Sequence, residues 1–374
     1  MDVLPSSTGR APDGRREFDI DAFRGLVCLS LVTLHFYVNG PLHDGLHRLI
    51  GSVGDFLVHH VRLGVESFFL LAGFMMAHML RPAPGENVSV RGYLTRRFFR
   101  LIIPYWIAVL LAALDRWAVL VVFQRGDVPA AGDVIAQMSL TQEFFAHAED
   151  VAPTGYWSMV TLEQFYLVWL VGYWICRKLL GQGTGGYGPA EQAMAWLTLA
   201  AGLVSAIVLA SDEWTRFRLP RYALYLSLGL MLYWCVRQRF ARVPFVIGLV
   251  ALAAVAVYTG KSRPIAGLAS VALLIPLCRG WRLPSAAVLR FLALWGRRSY
   301  SLYLMHPIVG IRLLSFGKFA ADGEPAVLLG VLAAAFVGTF IAAEVFYRLV
   351  ELPCQARARQ VNYRGRNNPA ASGP

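Results

Sequence analysis

His35 stands in an apolar stretch over 22–40 that is otherwise mostly Leu, Val, Phe and small residues, and Arg24 stands eleven residues before it. An imidazole titrates near neutral pH, so it can take a proton from a hydroxyl. A guanidinium forks onto phosphate or carboxylate oxygens. Eleven residues are about three turns of helix, so both side chains leave one face with their Cα atoms about 16 Å apart along the axis. Asp21, three residues before Arg24, falls close to the same stripe and most simply pairs with it. Ionisable groups at membrane depth are costly and persist where a cavity or a reaction uses them. Proton transfer at the imidazole is the chemistry these residues point to, with the arginine orienting either the histidine or a reactant.

The elements that position them are membrane helices. The 374 residues are 57% hydrophobic and 16% charged, against about a quarter charged in soluble domains. The expected fold is all-α and polytopic, with about ten transmembrane helices over 22–40, 62–80, 101–123, 157–176, 193–210, 222–236, 243–259, 264–278, 299–315 and 326–350. The net charge of +12 comes in short basic clusters between apolar runs, which argues against nucleic acid as partner. Most arginines fall in alternate loops, among them Arg96, Arg97, Arg100, Arg297 and Arg298, which places both termini in the cytoplasm. Residues 1–18 read as a cytoplasmic tail leading into a retained anchor, 19–353 as the membrane domain and 354–374 as a basic, disordered tail. The acidic segment 124–156 has room for an amphipathic helix over 133–147, and His43, His47, His59 and His60 read as a solvated loop rather than a metal site. Five scattered cysteines show no metal or redox spacing.

Six motifs follow one another along the chain: Asp21, Arg24 and Gly25 with His35; Gly64, Glu66, Phe68, Phe69, Ala72 and Gly73; Arg96, Arg97, Arg100, Pro104 and Tyr105; Trp157, Ser158, Glu163, Phe165 and Tyr166; Ser299, Tyr300, Ser301, Tyr303, His306 and Pro307; and Glu351 with Pro353. Together they resemble the acyltransferase 3 family of membrane O-acyltransferases. One departure is Ala72, where the family usually has a serine.

The resemblance implies transfer of an acyl group, expected to be acetyl, from cytoplasmic acyl-coenzyme A to a hydroxyl of an exopolysaccharide or another surface glycan, outward-facing or lipid-linked. It implies a multi-pass protein of the bacterial inner membrane, with coenzyme A as a donor rather than a resident cofactor, and no metal. Beside it, His35 is read as general base, Glu163 as the group that orients His35 or the acceptor, and Arg24 as a donor- or histidine-orienting group. Arg97 and Arg100 suit the coenzyme A phosphates. Trp157, Glu66, Tyr166 and His306 are substrate-side candidates, Trp157 by stacking on a sugar ring. Each also has a structural reading: an interhelical contact for Glu163 and Glu66, a packed histidine at a kink for His306, topology for the arginines. Two other functions stay open: acylation of a small hydroxylated metabolite such as an antibiotic, and a proton-coupled transporter built on Arg24, His35 and Glu163. The chain shows no internal repeat of the kind transporters often carry.

Overall fold

In lipid, only a segment that satisfies its own backbone groups is stable, so the long apolar runs become helices. A computed structural model describes residues 14–38, 40–56, 63–80, 86–124, 126, 128–145, 155–181, 188–211, 218–238, 240–279, 286–320 and 324–366. In chain order these form α1 (Gly14–Tyr37), α2 (His43–Phe56), α3 (Val65–Leu80), α4 (Val90–Arg97), α5 (Ile103–Phe123), α6 (Ala131–Met138), α7 (Trp157–Leu180) and α8 (Pro189–Ser211). There follow α9 (Leu219–Tyr233), α10 (Arg242–Thr259), α11 (Ser262–Arg279), α12 (Ala287–Arg297), α13 (Ser299–Met305), α14 (Ile311–Ala320), α15 (Pro325–Phe346) and α16 (Leu352–Gln360). The protein is an all-α polytopic membrane protein. Among the described residues the strands are two of three residues, β1 (Glu86–Val88) and β2 (Arg364–Arg366), paired antiparallel.

Each of the ten expected stretches falls on a helix. Among the described residues, seven helical runs are long and apolar enough to cross a membrane, and α3 is a shorter apolar helix. The expected count of ten is thus not reached on length and composition. One reason is α9, which has 15 residues and is buried at every position from 222 to 233, so that protein rather than lipid surrounds it. Asp115, awkward on an apolar helix, is forked by Arg312 from α14 at 3.1 Å.

Two apolar cores result. One is built of α3, α7, α8, α9, α10 and α11, the other of α5, α13 and α15, and α1 and the start of α7 contribute to both. Close backbone approach holds the helices together at glycines. A Cβ on Gly296 would lie 1.7 Å from the Asp21 carbonyl oxygen and one on Gly25 1.9 Å from that of Leu292, locking α12 against α1. Gly73 and Gly229 do the same for α3 and α9.

Three expectations need correction. Segments 43–56 and 287–297, expected as loops, are helices; α12 is amphipathic, with Ala293, Trp295 and Gly296 buried. The amphipathic helix expected over 133–147 is instead Ala131–Met138 followed by a single turn at Gln142–Phe144, and 146–147 lie outside the described residues, as do His59 and His60. The tail is ordered through 366: α16 continues the last long helix and β2 pairs with β1, because Tyr363 has a buried seat beside Tyr93. Residues 1–13 and 367–374 lie outside the described set.

Candidate active site

Helices α1 and α13 run side by side in the same direction. The Cys28 thiol lies 3.4 Å from the Ser299 carbonyl oxygen, and seven residues further along both helices the His35 and His306 rings stack, 5.0 Å between centroids. Seven residues are two turns, so the spacing repeats the same rung. Arg24, one turn before Cys28, reaches along the face to donate to Ser299 Oγ at 2.9 Å, and it pairs with Asp21 at 3.2 Å as its spacing implied.

The upper rung is a hydrogen-bonded chain. Pro307 lacks the N–H that an α-helix would direct at the Tyr303 carbonyl. His306 Nδ1 takes that position, 2.7 Å from the Tyr303 oxygen and 3.3 Å from that of Leu302. Facing carbonyls, Nδ1 must carry the proton, which leaves the His306 Nε2 lone pair as acceptor. His35 Nδ1 lies 2.8 Å from it and so donates. His35 Nε2 then carries a lone pair, and it has no hydrogen-bond partner among the described residues. His35 lies in the last turn of α1 and is 8% exposed; His306 is fully enclosed. Gly155, at φ +110°, closes over His35: a Cβ there would lie 3.1 Å from Cε1. The Gly155 carbonyl accepts from the Tyr303 hydroxyl at 2.8 Å, and the Tyr156 hydroxyl donates to Leu304 at 2.6 Å, which fastens the entry of α7 to α13.

Below the histidines lies a cavity of about 170 Å³ between the two cores. Its walls are apolar along Val27, Leu31, Leu71, Met75 and Leu162, and one end carries Arg24, Arg96, Arg97, Arg100 and Glu351. Arg100 has no hydrogen-bond partner among the described residues, and the Arg96 Nε is buried with no hydrogen bond while its guanidinium lies over Tyr363. Glu351 accepts from the Ser301 hydroxyl and backbone N–H and from Gln355. Three of the four π-helical turns among the described residues carry site groups: Phe98–Ile102 holds Arg100, His306–Gly310 begins at His306 and Tyr347–Glu351 ends at Glu351. Such turns frequently mark functional positions.

Glu163 does not orient His35. It is forked by Arg97 at 2.7–3.1 Å, and Arg97 also lies flat over the Tyr166 ring at 3.5 Å. Glu163 lies six residues, about 9 Å, into α7, whose entry at Gly155 is the part that faces His35. Arg97 is therefore a fixed wall of the basic end, with Tyr166 bonded to the Ala72 carbonyl behind it. Glu66 and Trp157 stay outside the cavity: Glu66 faces Arg263 at 3.7 Å, and Trp157 packs between Tyr222 and Arg218. Ser67 bonds to Ser270 at 2.6 Å, away from the site. Sequence reasoning gave no role to Tyr303 or Gly155, whose signal is only their neighbourhood to His306 and Trp157.

Residues 17–344 match a protein family described as an acyltransferase domain. A stretch of 176 residues is 25% identical to a protein of Bacillus subtilis (strain 168) named "Putative peptidoglycan O-acetyltransferase YrhL". The alignment covers 42% of this chain and 24% of the relative, so the match spans about a quarter of that protein's length. No solved structure gives a match.

Proposed function

The chain belongs to the acyltransferase family whose model spans 17–344, and from that premise we propose that it is a membrane O-acyltransferase with His35 as general base. The transferred group is acetyl, the donor acetyl-coenzyme A, and the acceptor a hydroxyl of a surface glycan. The observation that carries this reading is the chain from the Tyr303 carbonyl through His306 to His35, which leaves a lone pair on His35 Nε2 one layer beyond the closed end of a cavity whose other end carries arginines.

Donor phosphates sit at the arginine end, where Arg96 and Arg100 have unused donors and Arg24 adds charge. Arg97, held by Glu163, shapes this end rather than reaching out. The positive-inside asymmetry makes it the cytoplasmic end, in the bacterial inner membrane. The arm lies along the apolar walls with its thioester toward His35. The acceptor hydroxyl gives its proton to His35 Nε2 as its oxygen attacks the thioester carbonyl. The C–S bond breaks and the departing sulfur takes that proton. Through both steps the Nδ1–H stays on His306, so the imidazolium that forms is held in place. Excluding water behind the Gly155–Tyr156 segment protects the thioester from hydrolysis.

The test is full-length protein in proteoliposomes with labelled acetyl-coenzyme A and an outer-face polysaccharide acceptor. Alkali-labile label on the acceptor, absent with His35→Ala of equal abundance, is the expected result. Transport of a solute without acyl transfer would overturn the reading.

A further inference from the structure

We propose that Phe68 sets the length of the acyl group the enzyme accepts, by closing the histidine end of the cavity. The proposal rests on the donor reading above.

The cavity is built in layers. α1 supplies Arg24, Val27, Cys28 and Leu31 from one stripe, and the next residue of that stripe is His35, which does not line the cavity. α3 runs the opposite way, since just before its start the Leu63 N–H donates to Ser30 Oγ in the second half of α1, and near its end the Met79 carbonyl accepts from Tyr363, which lies under Arg96 of the arginine end. The last cavity-lining residues before the histidine layer are thus Leu31, Phe68, Met159 and Tyr303. They form a wall between the donor cavity and His35.

Within that wall Phe68 is the part that can yield. Its ring lies parallel to Tyr303, 6.1 Å between centroids and 11° between planes. Tyr303 is pinned by its hydroxyl to Gly155 and backed by Tyr300, whose own hydroxyl donates to the Leu101 carbonyl at 2.7 Å. Leu31 and Met159 are buried in the second core. Phe68 is half-buried, has no polar anchor, and among the described residues its ring neighbours are Tyr303 and Phe69.

From Arg24 to Leu31 the helix rises about 10 Å, and to His35 about 16 Å. A thioester tethered by its phosphates at the arginines meets His35 only by passing this wall. The acyl group then occupies the volume given up by the turning ring. A short chain fits that volume, whereas each further methylene presses on Tyr303, which is bonded in place. Elsewhere the walls are lined by Met75 and Met79, flexible side chains that adapt to an arm and do not measure it.

The experiment measures dissociation constants of non-hydrolysable thioether analogues of acetyl-, butyryl- and octanoyl-coenzyme A for full-length protein in detergent. Wild type is expected to prefer the acetyl over the octanoyl analogue, and Phe68→Ala to shrink that preference by about tenfold or more, the discrimination an apolar pocket reaches for small changes in chain length. Phe68→Leu, a milder change that preserves packing, should fall between. An unchanged length preference in both variants, with the acetyl analogue still bound, overturns the proposal alone. Failure of wild type to bind any analogue overturns the donor reading and the proposal with it.

Discussion

His35 Nδ1 stands 2.8 Å from His306 Nε2, on parallel helices whose register is fixed two turns earlier where Cys28 meets Ser299. The His35 imidazole thus gets its tautomer from a second histidine, and that histidine gets its own from a carbonyl freed by proline. Each link is open to mutation.

Removing the acceptor frees the His35 ring. His306→Ala should lower kcat about 10²- to 10⁴-fold, the range set by loss of a positioned base or its correct tautomer, with donor KM little changed. His306→Gln keeps an acceptor oxygen and should retain more activity. Steady-state kinetics of purified protein decide, and an unaltered kcat in His306→Ala would remove the relay from the mechanism.

Pro307→Ala restores an N–H that competes with His306 for the Tyr303 carbonyl. A proline inside a helix costs about 3 kcal/mol, so this variant should be at least as stable as wild type yet slower in acyl transfer. Thermal unfolding measured with turnover separates the two effects; equal turnover contradicts the role given to the proline.

The Arg97–Glu163 pair predicts a loss of folded protein rather than of chemistry. Both side chains are nearly enclosed, 8% and 11% exposed, and removing one partner of a buried pair costs about 3–5 kcal/mol. Glu163→Gln should therefore unfold at lower temperature, and an Arg97→Met, Glu163→Leu double variant should recover stability. If Glu163→Gln has wild-type stability but no activity, Glu163 acts in catalysis after all.

Gly296→Ala places a methyl in the space of the Asp21 carbonyl. Overpacking of this kind costs about 1–3 kcal/mol, and it should also part α12 from α1 near Arg24. The expected result, read by size-exclusion yield and donor KM, is less folded protein with weaker donor binding; Gly132→Ala, in open space, is the control.

The helices, the Asp21–Arg24 pair and the shared face of Arg24 and His35 were legible because each depends on local spacing. The partner of His35 was not, since 271 residues separate it from His306 and no periodicity links them. Glu163 looked like a lone carboxylate on an apolar helix, which demands a partner without naming one; Arg97 had the better geometry, a fork backed by Tyr166. The His-Pro step did carry a readable signal, a free carbonyl one turn back. Helices α2 and α12 were hidden because arginines and glycines break their apolar runs.

Tyr303 touches both halves of the proposed site: its ring bounds the arginine-ended cavity, and its hydroxyl holds the Gly155 carbonyl beside His35. One rigid side chain is therefore the party wall of two compartments. Strain from filling one is felt in the other, so the two substrates should bind with synergy, each sharpening the apparent affinity for its companion.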